Sequence, residues 1–146
     1  MHAGLRFNEG LGLMGGEDNE FFAAAHAHGF EIRRTLRAIT REAAHPERLT
    51  YRALVYRSYW CAASELRRLQ LTRGMLGAAL RKAHTIPLNL IFGTAWLAGA
   101  CAVAAISRSA FKRMAIEGGL KLAKGAGRAA ALVGVKPQPY RIIHGE

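Results

Sequence analysis

The sequence predicts a mainly α-helical chain, with one or two short strands, whose two halves differ in charge. Apolar residues recur every three or four positions over long stretches, a spacing typical of helices that bury one face. Residues 1–47 contain seven acidic residues and five Lys or Arg, whereas residues 48–146 contain three acidic residues and sixteen Lys or Arg. The basic half also contains an uncharged run from Ala83 to Ser107. We therefore expect two regions, residues 1–72 and residues 73–146.

The first region is expected to contain a helix followed by short extended segments. The helix is predicted over Asp18–His28. Gly29 follows it at the C′ position, where the access of glycine to positive φ commonly ends a helix. Extended segments are predicted near Glu31–Arg34 and Ala38–Ala43, the second with Ile39 as its apolar position.

A second, longer helix is expected to begin after Thr50, because a threonine side chain can accept a hydrogen bond from a free amide of the first turn. It should run to about Leu71, and a shorter helix should follow over Met75–Lys82. A basic helix is expected from about Ser109. Glycines that are unfavourable inside a helix should weaken this last helix, and prolines should end regular structure: Gly125, Gly127 and Pro137-Gln138-Pro139.

The uncharged run is long enough to reach across a membrane. Its apolar centre, Thr85–Ile106, would measure about 33 Å as a helix, against a bilayer core of about 30 Å. The alternative is a buried helix in a soluble core. Basic residues flank both ends: Arg73, Arg81, Lys82, Arg108, Lys112 and Arg113. Because Lys and Arg favour the cytoplasmic side, we expect both ends on the cytoplasmic side of the inner membrane, through a re-entrant or interfacial helix or a hairpin. A single span is the other possible topology.

The candidate chemistry lies in the run from Gly15 to Phe22, which contains the single aspartate of the chain, Asp18. Gly15 and Gly16 suit a tight turn that leads into a helix. The helix dipole favours the ionised forms of Glu17 and Asp18, and a general base must be ionised. The alternative is that the two carboxylates only supply favourable charge at the start of the helix.

Other residue types point away from metal or disulfide chemistry. A single aspartate excludes an Asp-X-Asp metal pair, and His26 and His28 would point to different faces of a helix. No metal site is therefore expected. Cys61 and Cys101 are far apart and fit a reducing cytosol better than a disulfide framework. No signal peptide is expected, since residues 1–16 lack an apolar stretch of the required length.

The run from Gly15 to Phe22 belongs to a longer ordered set of motifs. The set comprises Phe7-Asn8-Glu9, Gly15 to Phe22, Gly29 to Ile32, Ala38-Ile39-Thr40-Arg41-Glu42, Pro46-Glu47-Arg48 and Arg48-Leu49-Thr50. In this order the motifs resemble the acceptor-side region of bacterial family 2 glycosyltransferases, in particular the branch that builds exopolysaccharides. The resemblance covers about residues 5–60. It departs from the family at Arg33-Arg34, where an aromatic residue is common.

The resemblance implies the C-terminal part of a GT-A α/β transferase, followed by a membrane-associated helical region. It makes Asp18 the general base of an inverting sugar transfer, with Glu17 supporting it or binding the acceptor. Gly15 and Gly16 would line the substrate-binding site. Arg48 and Arg57 would hold the leaving nucleoside diphosphate, because arginine binds phosphate oxygens bidentately; the alternative is that they are solvated or contact lipid headgroups.

The family's nucleotide-binding half, with its Asp-X-Asp motif, has no counterpart in this sequence. The chain alone is therefore expected to be inactive and to hold no cofactor. The complete enzyme would use Mg²⁺ or Mn²⁺ with a nucleotide-sugar donor, and its acceptor would be a glycan or a lipid-linked glycan.

Two other classes of function compete with this interpretation. A small basic membrane-associated interaction protein without catalysis would explain the second half of the chain. A nucleic-acid-binding module would explain the positive charge, but it would not need the uncharged run from Ala83 to Ser107. An anionic membrane is therefore the expected partner of the basic half, and nucleic acid is not.

Overall fold

The computed structural model describes residues 4–9, 16–41 and 46–135. These residues form four α-helices and one short 3-10 helix and contain no strand. The elements are α1 (Glu17–Ala27), a 3-10 helix (Pro46–Leu49), α2 (Tyr51–Lys82), α3 (Thr85–Val103) and α4 (Arg108–Leu132). The prediction of a mainly helical chain is confirmed.

The signals that end α1 and begin α2 are those the sequence indicated. Gly29 follows α1 with a φ of 84°, a left-handed conformation that glycine adopts without strain. Thr50 precedes α2, and its Oγ1 accepts a hydrogen bond from the backbone N–H of Ala53 at 3.2 Å. This bond satisfies one of the free amides of the first turn.

α2 consists of two helical parts that meet at Gly74. Gly74 has φ 74° and ψ 169°, which no residue inside a helix adopts, and the predicted helices ending near Leu71 and spanning Met75–Lys82 lie on either side of it. The second part folds back along the first. As a result, Ala78 joins the buried cluster that contains Ala63 and Leu66. The predicted boundary between residues 72 and 73 lies within this helix, close to Gly74.

The predicted strands are wrong for the residues that the structure describes. Residues 31–34 and 38–41 have no regular structure and are exposed. A strand needs a neighbouring strand to pair its backbone N–H and C=O groups, and the described part of the chain offers none. Residues 42–43, the end of the second predicted segment, lie outside the described residues.

α4 packs between the first part of α2 and α3. It runs parallel to α2, since Gly119 lies against Tyr51 and Gly127 lies against Tyr59. It runs antiparallel to α3, since Gly99 lies against Met114 and Gly125 lies against Leu90. Ser107 caps α4 through a 3.3 Å hydrogen bond from the backbone N–H of Ala110. The three helices therefore form a layer in which the central α4 is parallel to α2 on one side and antiparallel to α3 on the other.

The glycines expected to weaken α4 do not interrupt it. The helix continues through Gly125 and Gly127, and both residues are buried at helix contacts. A Cβ at Gly127 would collide with the backbone of Tyr59, and one at Gly125 would lie 3.0 Å from Leu90 Cδ2. Their small size permits the close approach, and packing outweighs the low helix propensity. The predicted end at Pro137–Pro139 lies outside the described residues.

The core is made almost entirely of small side chains. Seven of the eight buried hydrophobic residues in the described ranges are alanines, and the largest fully buried side chain is Leu66. Large apolar side chains lie on the outside, on α3 and on both parts of α2: Tyr51, Tyr56, Leu71, Met75, Leu76, Leu80, Leu88, Ile91 and Phe92. In water-soluble proteins the large apolar residues are the ones most often buried.

Candidate functional site

The turn that precedes α1 has the local geometry expected from its sequence. Gly16 occupies the N-cap position with a φ of 91°, a conformation that favours glycine. Glu17 and Asp18 lie in the first turn of α1, and both are exposed. Their carboxylates are therefore open to a ligand at the positive end of the helix dipole. Gly15 lies outside the described residues.

Short-range contacts connect this turn to the preceding segment. Asp18 Oδ1 accepts hydrogen bonds from the backbone N–H of Asn19 at 2.7 Å and from its side-chain amide at 3.2 Å. The side-chain amide of Asn8 donates to both carboxylate oxygens of Glu20, at 3.0 and 3.1 Å. The ring of Phe7 stacks on Phe21 with centroids 4.6 Å apart. Residues 7–8 and α1 therefore form one small unit.

The predicted phosphate-binding arginines lie on other elements. Arg48 is in the 3-10 helix and Arg57 is on α2, and both are exposed. α1 shares no extensive packed surface with α2, α3 or α4. Gly16, Glu17 and Asp18 thus lie together at the start of α1, and no extensive packed surface joins them to α2, the helix that carries Arg57. The roles of these residues in sugar transfer remain predictions.

A charge cluster that sequence reasoning missed connects both parts of α2 to α4. Glu65 Oε1 lies 2.6 Å from Lys82 Nζ, and Glu65 Oε2 accepts a hydrogen bond from Arg128 Nη2 at 2.9 Å. Burial on its own would raise the pKa of the Glu65 carboxyl, but the hydrogen bonds and charges of Lys82 and Arg128 outweigh it, and the pKa lies below its ordinary value. The sequence did carry a signal, since Glu65 is the only acidic residue between Glu47 and Glu117.

Gln70 extends this cluster toward the end of α4. Its side-chain amide nitrogen donates to the Ala131 carbonyl oxygen at 3.1 Å, and its amide oxygen accepts from Arg67 Nη1 at 3.1 Å. Both Gln70 and Ala131 are buried. Because a buried side-chain amide without a partner is costly, this bond helps to align α4 on α2. The cluster has a structural role: it fixes the position of α4 relative to α2.

The largest apolar surface belongs to α3. In the described ranges it is the one helix long and apolar enough to cross a membrane. Only Gly93 and Ala100 of its residues are buried. Most of its large side chains are exposed: Leu88, Leu90, Ile91, Phe92 and Trp96. A contiguous apolar surface of this kind marks a site of interaction with a protein or a lipid.

Basic residues surround this surface, and some of them lie beside the middle of α3. Arg81 and Lys82 precede α3, and Arg108, Lys112 and Arg113 follow it. α4 then carries Lys121 and Lys124 back along α3. A Cβ added at Gly93, near the midpoint of α3, would lie 2.7 Å from Leu122 Cδ2. The two lysines are therefore close to the level of the α3 midpoint.

Neither a metal cluster nor a related protein identifies the chemistry. The described residues contain no group of three or more His, Cys, Asp or Glu side chains placed to hold a metal ion. No protein family model matches the sequence, and comparisons with curated proteins and with solved structures find no match.

Proposed function

We propose that this chain is a membrane-associated helical protein whose α3–α4 hairpin lies in the plane of an anionic membrane surface. The arrangement of side-chain sizes carries the proposal: nearly all residues buried between the helices are alanine or glycine, and most of the large apolar side chains of α3 are exposed. Lipid tails are as apolar as a leucine side chain, so helices in lipid associate through small residues that permit close contact. In water the same arrangement would leave a large apolar surface exposed.

The length of α3 fits either of two orientations. Its 19 residues correspond to about 28 Å, close to the thickness of a bilayer core. Across the membrane, α3 would form a single span. In the plane of the membrane, its exposed side would contact acyl chains while the basic residues of α4 contact headgroups.

Charge on α4 favours the in-plane orientation. If α3 crossed the membrane, Lys121 and Lys124 would lie near the bilayer centre, because α4 runs back along α3 and Leu122 contacts Gly93. Each central lysine costs about 2.5–3.5 kcal/mol. In the plane of the surface, each lysine instead contributes about 1 kcal/mol by contact with anionic headgroups. The cytoplasmic leaflet of the inner membrane, which is anionic, is the surface we propose.

The depth of Trp96 distinguishes the two orientations. Trp60→Phe leaves Trp96, close to the midpoint of α3, as the only tryptophan of the chain. The full chain is added to vesicles whose lipids carry bromine near the headgroup or near the chain end. We expect stronger quenching by the bromines near the headgroup.

Stronger quenching by the chain-end bromines would instead establish a single span and contradict the in-plane orientation. A full-length chain that stays monomeric in detergent-free buffer, with no quenching in either kind of vesicle, would contradict membrane association itself.

As a second candidate we propose that residues 5–60 are the acceptor-side part of a GT-A family 2 glycosyltransferase. The supporting observation is the turn at Gly16: its left-handed backbone leads directly into a helix whose first residues, Glu17 and Asp18, are exposed carboxylates. Asp18 would remove the proton from the acceptor hydroxyl while that oxygen attacks the anomeric carbon. The donor nucleotide-sugar and its Mg²⁺ or Mn²⁺ would be held by a nucleotide-binding half outside this sequence.

The glycosyltransferase proposal is tested first at the level of the gene. We expect the DNA upstream of Met1 to encode a half with an Asp-X-Asp motif, in frame or shifted. In an enzyme that contains both halves, Asp18→Asn should lower kcat by at least about 10²-fold and leave donor binding unchanged, with Glu17→Gln as the matched comparison. Turnover within a few-fold of the unmodified enzyme would mean that Asp18 is not the base.

A further inference from the structure

The segment from residue 31 to residue 41 is exposed, lacks regular structure and carries large apolar side chains. Ile32 is 53 % exposed, Leu36 is 84 % exposed and Ile39 is 80 % exposed. Exposed apolar side chains of this size, all within eight residues, indicate a surface that is covered by a partner.

The spacing of these residues identifies the conformation in which they would act together. Ile32, Leu36 and Ile39 are four and three residues apart, so on an α-helix they share one narrow face. The opposite face would carry the four arginines of the segment: Arg33, Arg34, Arg37 and Arg41. A strand would instead mix Arg34 with Ile32 and Leu36 on one face, because its side chains alternate. The pattern is therefore amphipathic only as a helix.

We propose that residues 31–41 fold into an amphipathic helix on an anionic lipid surface. In water a helix of this length is marginal, because isolated helices shorter than about 12–15 residues gain too little to offset the cost of the first turn. On a membrane, the three apolar side chains enter the boundary between headgroups and acyl chains, and the four arginines face the headgroups. The proposal rests on the proposed membrane role, since α3 brings the segment to the lipid.

Charge selects an anionic lipid as the partner. Within the segment, Glu31 is the only acidic residue, and its carboxylate lies 2.7 Å from Arg33 Nε. Arg34, Arg37 and Arg41 add three further positive charges, and each is exposed. Near an anionic leaflet each basic residue strengthens binding, and that contribution is absent on a zwitterionic surface. The helix should therefore form on anionic vesicles and not on neutral ones.

The experiment compares two labelled positions, two residues apart, in the full chain. Cys61 and Cys101 are replaced by serine, and an environment-sensitive fluorophore is attached through either Leu36→Cys or Ala38→Cys. On a helix these positions lie on nearly opposite faces, whereas on a strand they share one face. With vesicles containing about 30 % phosphatidylserine, the label at position 36 should shift to shorter wavelength and be protected from iodide, while the label at position 38 should stay accessible.

Circular dichroism of the full chain provides the second measurement. Anionic vesicles should add the ellipticity of roughly ten helical residues, and phosphatidylcholine vesicles should not. The triple variant Ile32→Ser, Leu36→Ser, Ile39→Ser should lose this gain. The matched variant Thr35→Ser, Thr40→Ser, which alters positions at the edges of the stripe, should keep it.

Two outcomes would overturn the inference. If the chain binds anionic vesicles through α3, with Trp96 quenched, but both labels stay accessible or shift equally, the segment does not form this helix and the proposed function stands. If the chain binds no vesicle and Trp96 is not quenched, the inference and the proposed function fail together.

Discussion

α3 and α4 pack side by side, yet they use their residues in opposite ways. α4 carries seven charged residues and buries six residues, all of them glycine or alanine: Gly118, Gly119, Ala123, Gly125, Gly127 and Ala131. α3 carries no charged residue and buries only Gly93 and Ala100. The helix with the greater apolar content is thus the one with fewer buried residues.

In this molecule, burial follows side-chain size and not hydropathy. On two of its sides α4 presents residues small enough for the backbones of α2 and α3 to approach closely. α3 packs Leu90 and Leu97 against glycines of α4 but exposes most of its large side chains to the surroundings. This division is expected where the surroundings are apolar, because the outer side chains are then solvated by lipid while small residues provide the contacts between helices. Four predictions test this contrast, beginning with the greatest loss of stability.

Gly127→Ala should destabilise the α2–α4 contact more than any other single methyl group added to α4. The new Cβ would collide with the backbone of Tyr59, which cannot move without shifting α2. We expect a loss of about 2–3 kcal/mol, typical of overpacking, measured by thermal unfolding in detergent micelles.

Gly125→Ala is the matched control on the opposite face of the same helix, which packs against α3. Its Cβ would meet the flexible end of Leu90 at 3.0 Å, so a small rotation of that side chain provides space. Because alanine is a better helix former by about 1 kcal/mol, the net change should be close to zero. Equal losses for the two variants would mean that the close approach of α4 to α2 is not specific.

Glu65→Gln should weaken the packing of α4 on α2 by about 1–2 kcal/mol, since it leaves Lys82 and Arg128 without their shared counter-charge. Glu117→Gln, at an exposed position of α4, is the control and should change stability by less than about 0.5 kcal/mol. Both are measured by thermal unfolding near pH 7. A similar loss of stability in the two variants would contradict a stabilising role for the ion pairs of Glu65.

The pH dependence of stability, compared between the unmodified chain and Glu65→Gln, provides a further check. The pKa of Glu65 is lowered in the folded chain, so its contribution is complete above the unfolded value of about 4.3 and is lost as the pH falls through the folded pKa. The unmodified chain should therefore lose more stability than Glu65→Gln between neutral pH and about pH 3. Parallel losses in the two proteins would mean that other carboxylates account for the acid sensitivity.

Helices were predictable from the sequence to the extent that local signals specify them. Thr50 and Gly29 mark helix ends because a side-chain cap and a left-handed glycine act within a few residues. The prediction of strands near residues 31–34 and 38–41 was wrong because strand pairing depends on residues distant in the sequence. The expectation for Gly125 and Gly127 missed their packing role for the same reason. The low helix propensity of glycine is a local property, whereas the closeness of Tyr59 and Leu90 is a property of the packed structure.

The candidate site was predictable only in its local geometry. The turn at Gly16 and the exposed carboxylates of Glu17 and Asp18 follow from neighbouring residues. The ion pairs of Glu65 join residues 17 and 63 positions apart in sequence, which no motif spacing indicates. An isolated acidic residue in a strongly basic helix was the available hint, since buried charges occur with partners.

The smallest expected effect concerns two alanines of α3 that are two residues apart. Ala98 is exposed, whereas Ala100 is buried and lies on the same side as Gly93 and Leu97, which contact α4. Ala98→Leu should change stability by less than about 0.5 kcal/mol and strengthen binding to vesicles, because its added methylene groups enter lipid. Ala100→Leu, the matched control, should cost about 1–3 kcal/mol by forcing α3 away from α4. The two variants are compared by thermal unfolding in micelles and by vesicle flotation. If Ala98→Leu is as destabilising as Ala100→Leu, the outer side of α3 is covered by protein and not by lipid, and the contrast between α3 and α4 reflects an additional helix contact.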